Sequence, residues 1–273
     1  MKKTFLTFGV AVALMLAVGA VLAAEGGHIE KQQWAHRGFT GQFDKAQLRR
    51  GFQIYREICS GCHSLKYIAF RNLLDIGYSE AEAKAIAADY EVEDGPDDEG
   101  EMFTRPARLS DYIPGPFAND QAARASNNGA LPPDLSLIVK ARSSAHGLKA
   151  WLLSLLDPDR MGEDYVFALL TSYEDEPPEG VKLGDGMNYN PIFPGGQIAM
   201  APPLYEEAVD YDDGTKATLD QEAKDVVSFL TWTAEPKLDA RKRLGFKTMI
   251  YLIILTGLLY AAYRRVRRKV KGH

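Results

Sequence analysis

Thiols are scarce in this sequence: its 273 residues include only two cysteines, Cys59 and Cys62. Two thiols exclude a disulfide framework, and they exclude a four-thiolate zinc or iron–sulfur site built by this chain alone. Acidic residues are missing from both ends, since none of the 37 precedes Glu25 or follows Asp239. Residues 25–239 therefore set 37 acidic side chains against 20 basic ones, a formal charge of −17, and the other basic residues lie at the termini. An acidic body with basic ends presents no cationic face to a phosphate backbone, so nucleic acid is excluded as the partner class and a basic protein is favoured. Strand signals are sparse, and there is no internal repeat. With 46% hydrophobic and 25% charged residues the chain is no disordered tail, and it is long enough for one sizeable core.

Two apolar runs mark the ends. Lys2 and Lys3, an apolar stretch from Phe5 to Val21 and a small-residue exit at Ala23 and Ala24 predict a secretory signal peptide over residues 1–24. Residues 246–263 carry one charge, Lys247, and as a helix they would span about 27 Å, close to the ~30 Å of a bilayer core. Tyr251, Tyr260 and Tyr263 suit the headgroup belts, and the basic run from Arg264 to Lys271 predicts a cytoplasmic tail over residues 264–273. The expected topology is an exported domain over residues 25–240, one C-terminal anchor and a short tail inside, placing the domain on the periplasmic side of an inner membrane.

Between the ends, Asp44 is a good N-cap for a helix to about Ile58, with Leu48, Phe52, Tyr55 and Ile58 on one face. Ser79 and Glu82 form a capping pattern for a helix to about Tyr90, and Glu91 to Glu101, broken by Gly95, Pro96 and Gly100, reads as an exposed acidic loop. Trp151 to Leu156 and Tyr165 to Leu170 read as helical. The Gly/Pro-rich passage from Pro177 to Pro203 has no period, which in a compact domain marks a functional loop. A last soluble helix starts at the box Thr218 to Gln221 and ends before Pro236.

The first helix delivers the chain to Cys59-Ser-Gly-Cys62-His63. Two thiols three positions apart can add to the two vinyl groups of a haem, and the following histidine then lies under the iron as proximal ligand. A thioredoxin-like dithiol needs no such histidine, and no βαβ pattern surrounds the motif. Candidates for the sixth ligand are Met102, Met161, Met187, Met200, His28, His36 and His146. His28 and His36 read as surface groups. Met200 is preferred over Met187, because Pro202 and Pro203 stiffen its apolar loop; a methionine that merely packs against the ring is the bland alternative.

Ordered blocks extend this reading: RRGFQIYREICSGCHS (49–64), DGPDDEGEMFTRPARLSDY (94–112), NNGALPPDLSLIVKAR (127–142), GEDYVFALLT (162–171), NYNPIFPGGQIAMAPPLY (188–205) and AKDVVSFLTWTAEP (223–236). Together they resemble the cytochrome c1 family, over nearly the whole mature chain. The resemblance implies covalent haem c on Cys59 and Cys62, with His63 and Met200 as iron ligands. It implies Arg142 against a haem propionate with Tyr165 nearby, and Asn127 and Pro133 in the loop that walls the haem. Residues 143–161 read as an insertion relative to the mitochondrial pattern, and the extra cysteine pair of some bacterial members is absent.

The expected fold is mostly α: an elaborated class I cytochrome c with long loops plus one C-terminal transmembrane helix. The expected function is that of an electron-transfer subunit of the cytochrome bc1 complex, the ubiquinol:cytochrome c oxidoreductase. Its implied partners are the cytochrome b subunit, the Rieske iron–sulfur protein, a basic c-type cytochrome acceptor and the membrane. The rival reading is a catalytic or sensory membrane-anchored haem c protein with an open sixth position.

Overall fold

The computed structural model describes residues 29–143 and 162–270. The expected signal peptide, His28, His146, Met161, the helix expected at Trp151 to Leu156 and nearly all of the expected insertion lie outside the described residues. Seven α-helices and two small antiparallel sheets make up the described chain, so the mostly α expectation holds.

Helix α1, Lys45–Glu57, begins where Asp44 Oδ1 accepts from the Ala46 amide at 2.9 Å, and it buries the Leu48, Phe52 and Tyr55 face that the spacing predicts. It crosses α6, Leu219–Ala234, which buries twelve of its sixteen residues. At the crossing Gly51 has no room for a side chain, because a Cβ there would lie 2.1 Å from the Asp225 carbonyl oxygen. Phe52 and Tyr55 from α1 meet Phe229 from α6 with ring centroids 5.5 and 6.0 Å apart, and Trp232 stacks on Phe229. Beside this apolar seam the Arg50 guanidinium bridges Asp225 at 2.7 Å and Asp213 at 2.8 Å, so the fully buried Asp225 carboxylate is paired. Thr218 caps α6 by accepting from the Gln221 amide, but the Gln221 side chain turns to Asp225 instead of closing the reciprocal half of the expected box.

Helix α2, Glu80–Ala88, carries the full reciprocal box of Ser79 and Glu82. The acidic stretch after it departs from expectation. Glu91–Asp94 is a strand, β1, paired antiparallel with β2, Phe103–Pro106. Arg105 explains the difference, since it binds Asp94 across the hairpin and Asp111 at 2.6 Å and so neutralises carboxylates that would otherwise repel. Only residues 95–102 remain a loop. Helices α3, Asp120–Ser126, and α4, Ile138–Ala141, are short; α5, Glu163–Thr171, packs on α6. The long passage after α5 contains one two-residue ladder, β3, Asn188–Tyr189, with β4, Gln197–Ile198.

Helix α7, Leu238–Val270, starts eight residues before the apolar run and is continuous through it. It is long and apolar enough to cross a membrane. Its first turns are strapped to the domain. Asp239 accepts from the Phe43 amide at 3.3 Å, and the Lys242 ammonium donates to the His36 and Gly41 carbonyls.

Candidate functional site

Helix α1 ends at Glu57, and the chain tightens into a 3-10 turn, Cys59–Gly61. The Cys62 and His63 amides both return to the Cys59 carbonyl, at 3.1 and 2.9 Å. Residues i and i+3 of a 3-10 turn eclipse, so this geometry brings Cys59 and Cys62 to one side. Both thiols are free; Cys62 is exposed, and burial beside Cys62 pushes the Cys59 thiol up to about 12.

His63 follows immediately, and its ring is fixed. Nδ1 lies 2.8 Å from the Pro133 carbonyl oxygen, and since a carbonyl only accepts, Nδ1 carries the proton. The tautomer left by that bond has a bare Nε2, which is the lone pair a metal takes. Burial holds this imidazole below the usual histidine range, against the pull of the Pro133 carbonyl and Asp134. The Tyr55 hydroxyl donates to the His63 carbonyl at 3.2 Å, tying the turn back to α1.

The segment that supplies Pro133 is itself braced. Asp134 accepts from the Ser64 hydroxyl at 2.8 Å, the Lys66 amide at 2.9 Å and the Ser136 amide at 3.0 Å. The Leu135 amide reaches the Ser64 carbonyl, and the Tyr67 amide reaches the Ser136 hydroxyl. Although burial pushes the Asp134 carboxyl up, these donors hold it below the usual carboxylate range. Asn127 ends α3, its side-chain amide donating to the Ala123 carbonyl at 2.7 Å. Leu131 is exposed in the same loop, and a cavity of about 570 Å³ opens between Pro116–Phe117, Asn119–Gln121, Cys62 and Leu131–Asp134. That cavity reaches Cys62 and Pro133 but neither Met200 nor Tyr165, so it borders the site on the thiol side.

Met200 lies two residues beyond β4 and is half-buried. Its carbonyl accepts from the Tyr173 hydroxyl at 3.1 Å. Burial, together with the neighbouring Tyr165, pushes Tyr173 well above the usual phenol range. Tyr165 is raised by burial, against the lowering effect of the Arg142 guanidinium. Arg142 is exposed at the end of α4, and Tyr165 is half-buried on α5. Met187 is also half-buried in the passage leading to β3, whereas Met102 is 54% exposed on the hairpin.

His36 is not a surface group. It is 2% exposed, its Nε2 lies 2.7 Å from Glu163 Oε1, and its ring stacks on Phe43 at 4.7 Å, so it is committed to a partner. Arg37 joins the same cluster through Glu163 and Asp164, both at 2.8 Å, and the Trp34 indole donates to Asp164 at 2.7 Å. These bonds tie the N-terminal segment to the first turn of α5, the helix that carries Tyr165. Sequence reasoning missed this cluster and missed Tyr173, for which no local pattern exists. The Asp134 brace did leave a signal, because Asp at a loop-to-helix junction with Ser two residues on is an Asx-turn pattern.

The donor set fits a covalent haem: two free thiols on one side of a turn, a histidine with a bare Nε2, and a thioether on a separate apolar segment. Comparisons with known proteins agree. The Cytochrome C1 family model matches residues 34–270. The chain is 53% identical over 234 residues to a mitochondrial cytochrome c1 heme protein of Schizosaccharomyces pombe, covering 86% of this chain and 70% of that protein. It is 52% identical over 238 residues to a mitochondrial cytochrome b-c1 complex catalytic subunit of Candida albicans, covering 87% and 77%. A Bradyrhizobium diazoefficiens protein named cytochrome b/c1 is 50% identical over 238 residues, which is 86% of this chain and 35% of that longer protein.

Proposed function

The chain belongs to the cytochrome c1 family, and from that premise we propose that it is the membrane-anchored electron-transfer subunit of a cytochrome bc1 complex, taking one electron from a Rieske iron–sulfur protein and delivering it to a basic c-type cytochrome. The family carries covalent haem c. When bound, that group supplies a one-electron couple and no bond-making chemistry. Quinol oxidation belongs to the rest of the complex, a ubiquinol:cytochrome c oxidoreductase that includes cytochrome b.

The chain's own residues do the holding. Cys59 and Cys62 would form the thioether links, and His63 Nε2 and the Met200 sulfur would hold the iron. The Pro133 carbonyl keeps the His63 proton on Nδ1, and Asp134 keeps Pro133 in place. Tyr173 fixes the backbone beneath Met200. Arg142 and Tyr165 would pair a propionate, and Asn127 and Pro133 would shape the wall. With His63 and Met200 as its holders, the group would supply a one-electron couple of raised potential. In the domain reading, a signal peptide over residues 1–24 exports the domain 25–240 to the periplasm, residues 246–263 cross the membrane, and 264–273 stay inside.

The observation that carries this reading is the 2.8 Å bond from His63 Nδ1 to Pro133, placed directly after the thiol pair. The test is rapid mixing of the purified complex with a reduced quinol and then with a ferric basic cytochrome c, following the visible spectrum. The reading expects a single one-electron reduction and reoxidation in sequence, with no carbon monoxide complex of the reduced protein. A wild-type protein that binds carbon monoxide avidly would favour the catalytic or sensory alternative.

A further inference from the structure

The chain between Ala35 and Gln42 is a closed loop with one conspicuous side chain. A turn opens it, from the Arg37 amide to the Trp34 carbonyl, and the Gln42 amide joins its stems at the Ala35 carbonyl, both at 3.1 Å. The closure is tight enough that a Cβ on Gly41 would fall 1.8 Å from the Arg37 carbonyl oxygen. At the apex stand Gly38, Phe39 and Thr40, none of them charged, and Phe39 is 67% exposed. The nearest charge, Arg37, is committed to Glu163 and Asp164. A phenylalanine held out on a rigid tip, with no core to join, calls for an apolar environment outside the domain.

Helix α7 says where that environment is. Asp239, Lys242 and Phe246 lie on one helical face, and all three meet this N-terminal segment. Asp239 accepts from the Phe43 amide, Lys242 donates to the His36 and Gly41 carbonyls on both sides of the loop, and the Phe246 ring meets Phe39 edge-on with centroids 6.2 Å apart. Phe246 opens the apolar run 246–263, so the loop apex lies level with the first turn of the membrane-crossing segment. Lys242, four residues earlier, is about 6 Å further out along the axis. Arg241, Arg243 and Lys247 flank the contact, exposed and basic, as suits anionic headgroups.

From this geometry we propose that the 38–40 loop is a membrane foot, whose Phe39 side chain inserts at the headgroup and acyl-chain boundary of the outer leaflet beside Phe246. The straps from Lys242 and Asp239 make foot and anchor one rigid unit. The foot sets the height and tilt of the haem domain over the bilayer, which a single helix alone leaves free. Through His36 and Glu163 the same unit reaches α5 and Tyr165. The proposal rests on the reading of α7 as the membrane anchor.

The test uses the purified complex in nanodiscs of phosphatidylcholine and phosphatidylglycerol. Both native thiols are taken by the haem linkage, so Phe39→Cys, Leu252→Cys and Met102→Cys each provide one site for a nitroxide. Power saturation then compares collisions with lipid-soluble oxygen and with a water-soluble nickel chelate. The label at 252, in the middle of the span, reports the anchor, and the label at 102 reports open water. The proposal expects an oxygen-to-nickel ratio at position 39 several-fold above that at position 102. If 252 reads as lipid while 39 is relaxed by nickel, the loop stands in water and the foot is overturned. If 39 is shielded from both reagents, a partner subunit covers it and the foot is again overturned. A label at 252 that reads as aqueous would instead overturn the anchor itself.

Discussion

On the His63 side of the proposed site the protein braces its candidate ligand closely, whereas on the Met200 side it leaves most of that work to a long, sparsely tied loop. From Cys59 to Ser136 the backbone is tied turn by turn, with the His63 ring fixed by Pro133, the His63 carbonyl by Tyr55, and both strands of the wall by Asp134. From Glu174 to Pro203 there are two strands of two residues each and a few long-range ties, such as the Asn190 side chain to the Leu169 carbonyl at 2.8 Å and Tyr173 to Met200. A ligand on a braced turn has a set geometry before any metal binds. A ligand on a long passage gains its order partly from the metal–sulfur bond itself. On the proposed ligand set, the His63 side would determine whether haem is held, and the Met200 side would tune the potential and open first under stress.

Substitutions can break this contrast. The largest expected effect is Gly51→Ala, because a methyl group 2.1 Å from the Asp225 carbonyl must push α1 away from α6 and drag the thiol turn with it. Overpacking of this kind costs about 3 kcal/mol, roughly 10 °C in the unfolding midpoint, measurable by thermal scanning of the haem-loaded domain. Asp134→Ala comes next, at about 2 kcal/mol for a half-buried acceptor shared by three donors. It should loosen His63 while leaving Met200 ligated, a distinction that the proton resonances of the two axial ligands read directly. Tyr173→Phe removes one hydroxyl bond on the other side, costing about 1 kcal/mol. Its sharper signature is a faster exchange of Met200 for added imidazole, with no change in the His63 resonances. The smallest effect on either side is expected from Asp97→Asn, Asp98→Asn and Glu99→Gln combined, since that loop touches neither ligand. It should leave stability unchanged and lower only the on-rate with a basic cytochrome c, most at low salt, where screening is weakest. An unchanged rate and salt slope would remove the hairpin from the docking surface.

The His63 side was also the more legible one in the sequence. Helix α1 carries its cap and its periodicity locally, the thiol pair and histidine are contiguous, and the turn that presents them needs nothing from far away. Its brace is half local, through Asp134 and Ser136, and half remote, through Ser64. The Met200 side offered only a stiff Pro-rich segment, and its hydrogen bond comes from Tyr173, 27 positions earlier, with no spacing rule to predict it. Burial of His36 was illegible for the same reason, since its partner Glu163 is 127 positions away. The acidic hairpin was misread because charge pattern alone does not reveal that Arg105 returns to neutralise Asp94 and Asp111. Contacts between distant residues decide such cases, and a single sequence shows them only after folding.

The central claim is that Met200 and His63 together close the iron of a low-spin haem c. Its most direct measurement is the optical spectrum of the ferric wild-type protein beside Met200→Leu and Met187→Leu. The account predicts a covalent low-spin haem with a methionine-to-iron charge-transfer band in wild type and Met187→Leu. In Met200→Leu the haem should stay attached, the band should vanish, the potential should fall within the ~0.8 V range that axial ligands command, and the reduced form should bind carbon monoxide. A high-spin wild-type spectrum, or a band that survives Met200→Leu and disappears in Met187→Leu, would contradict it.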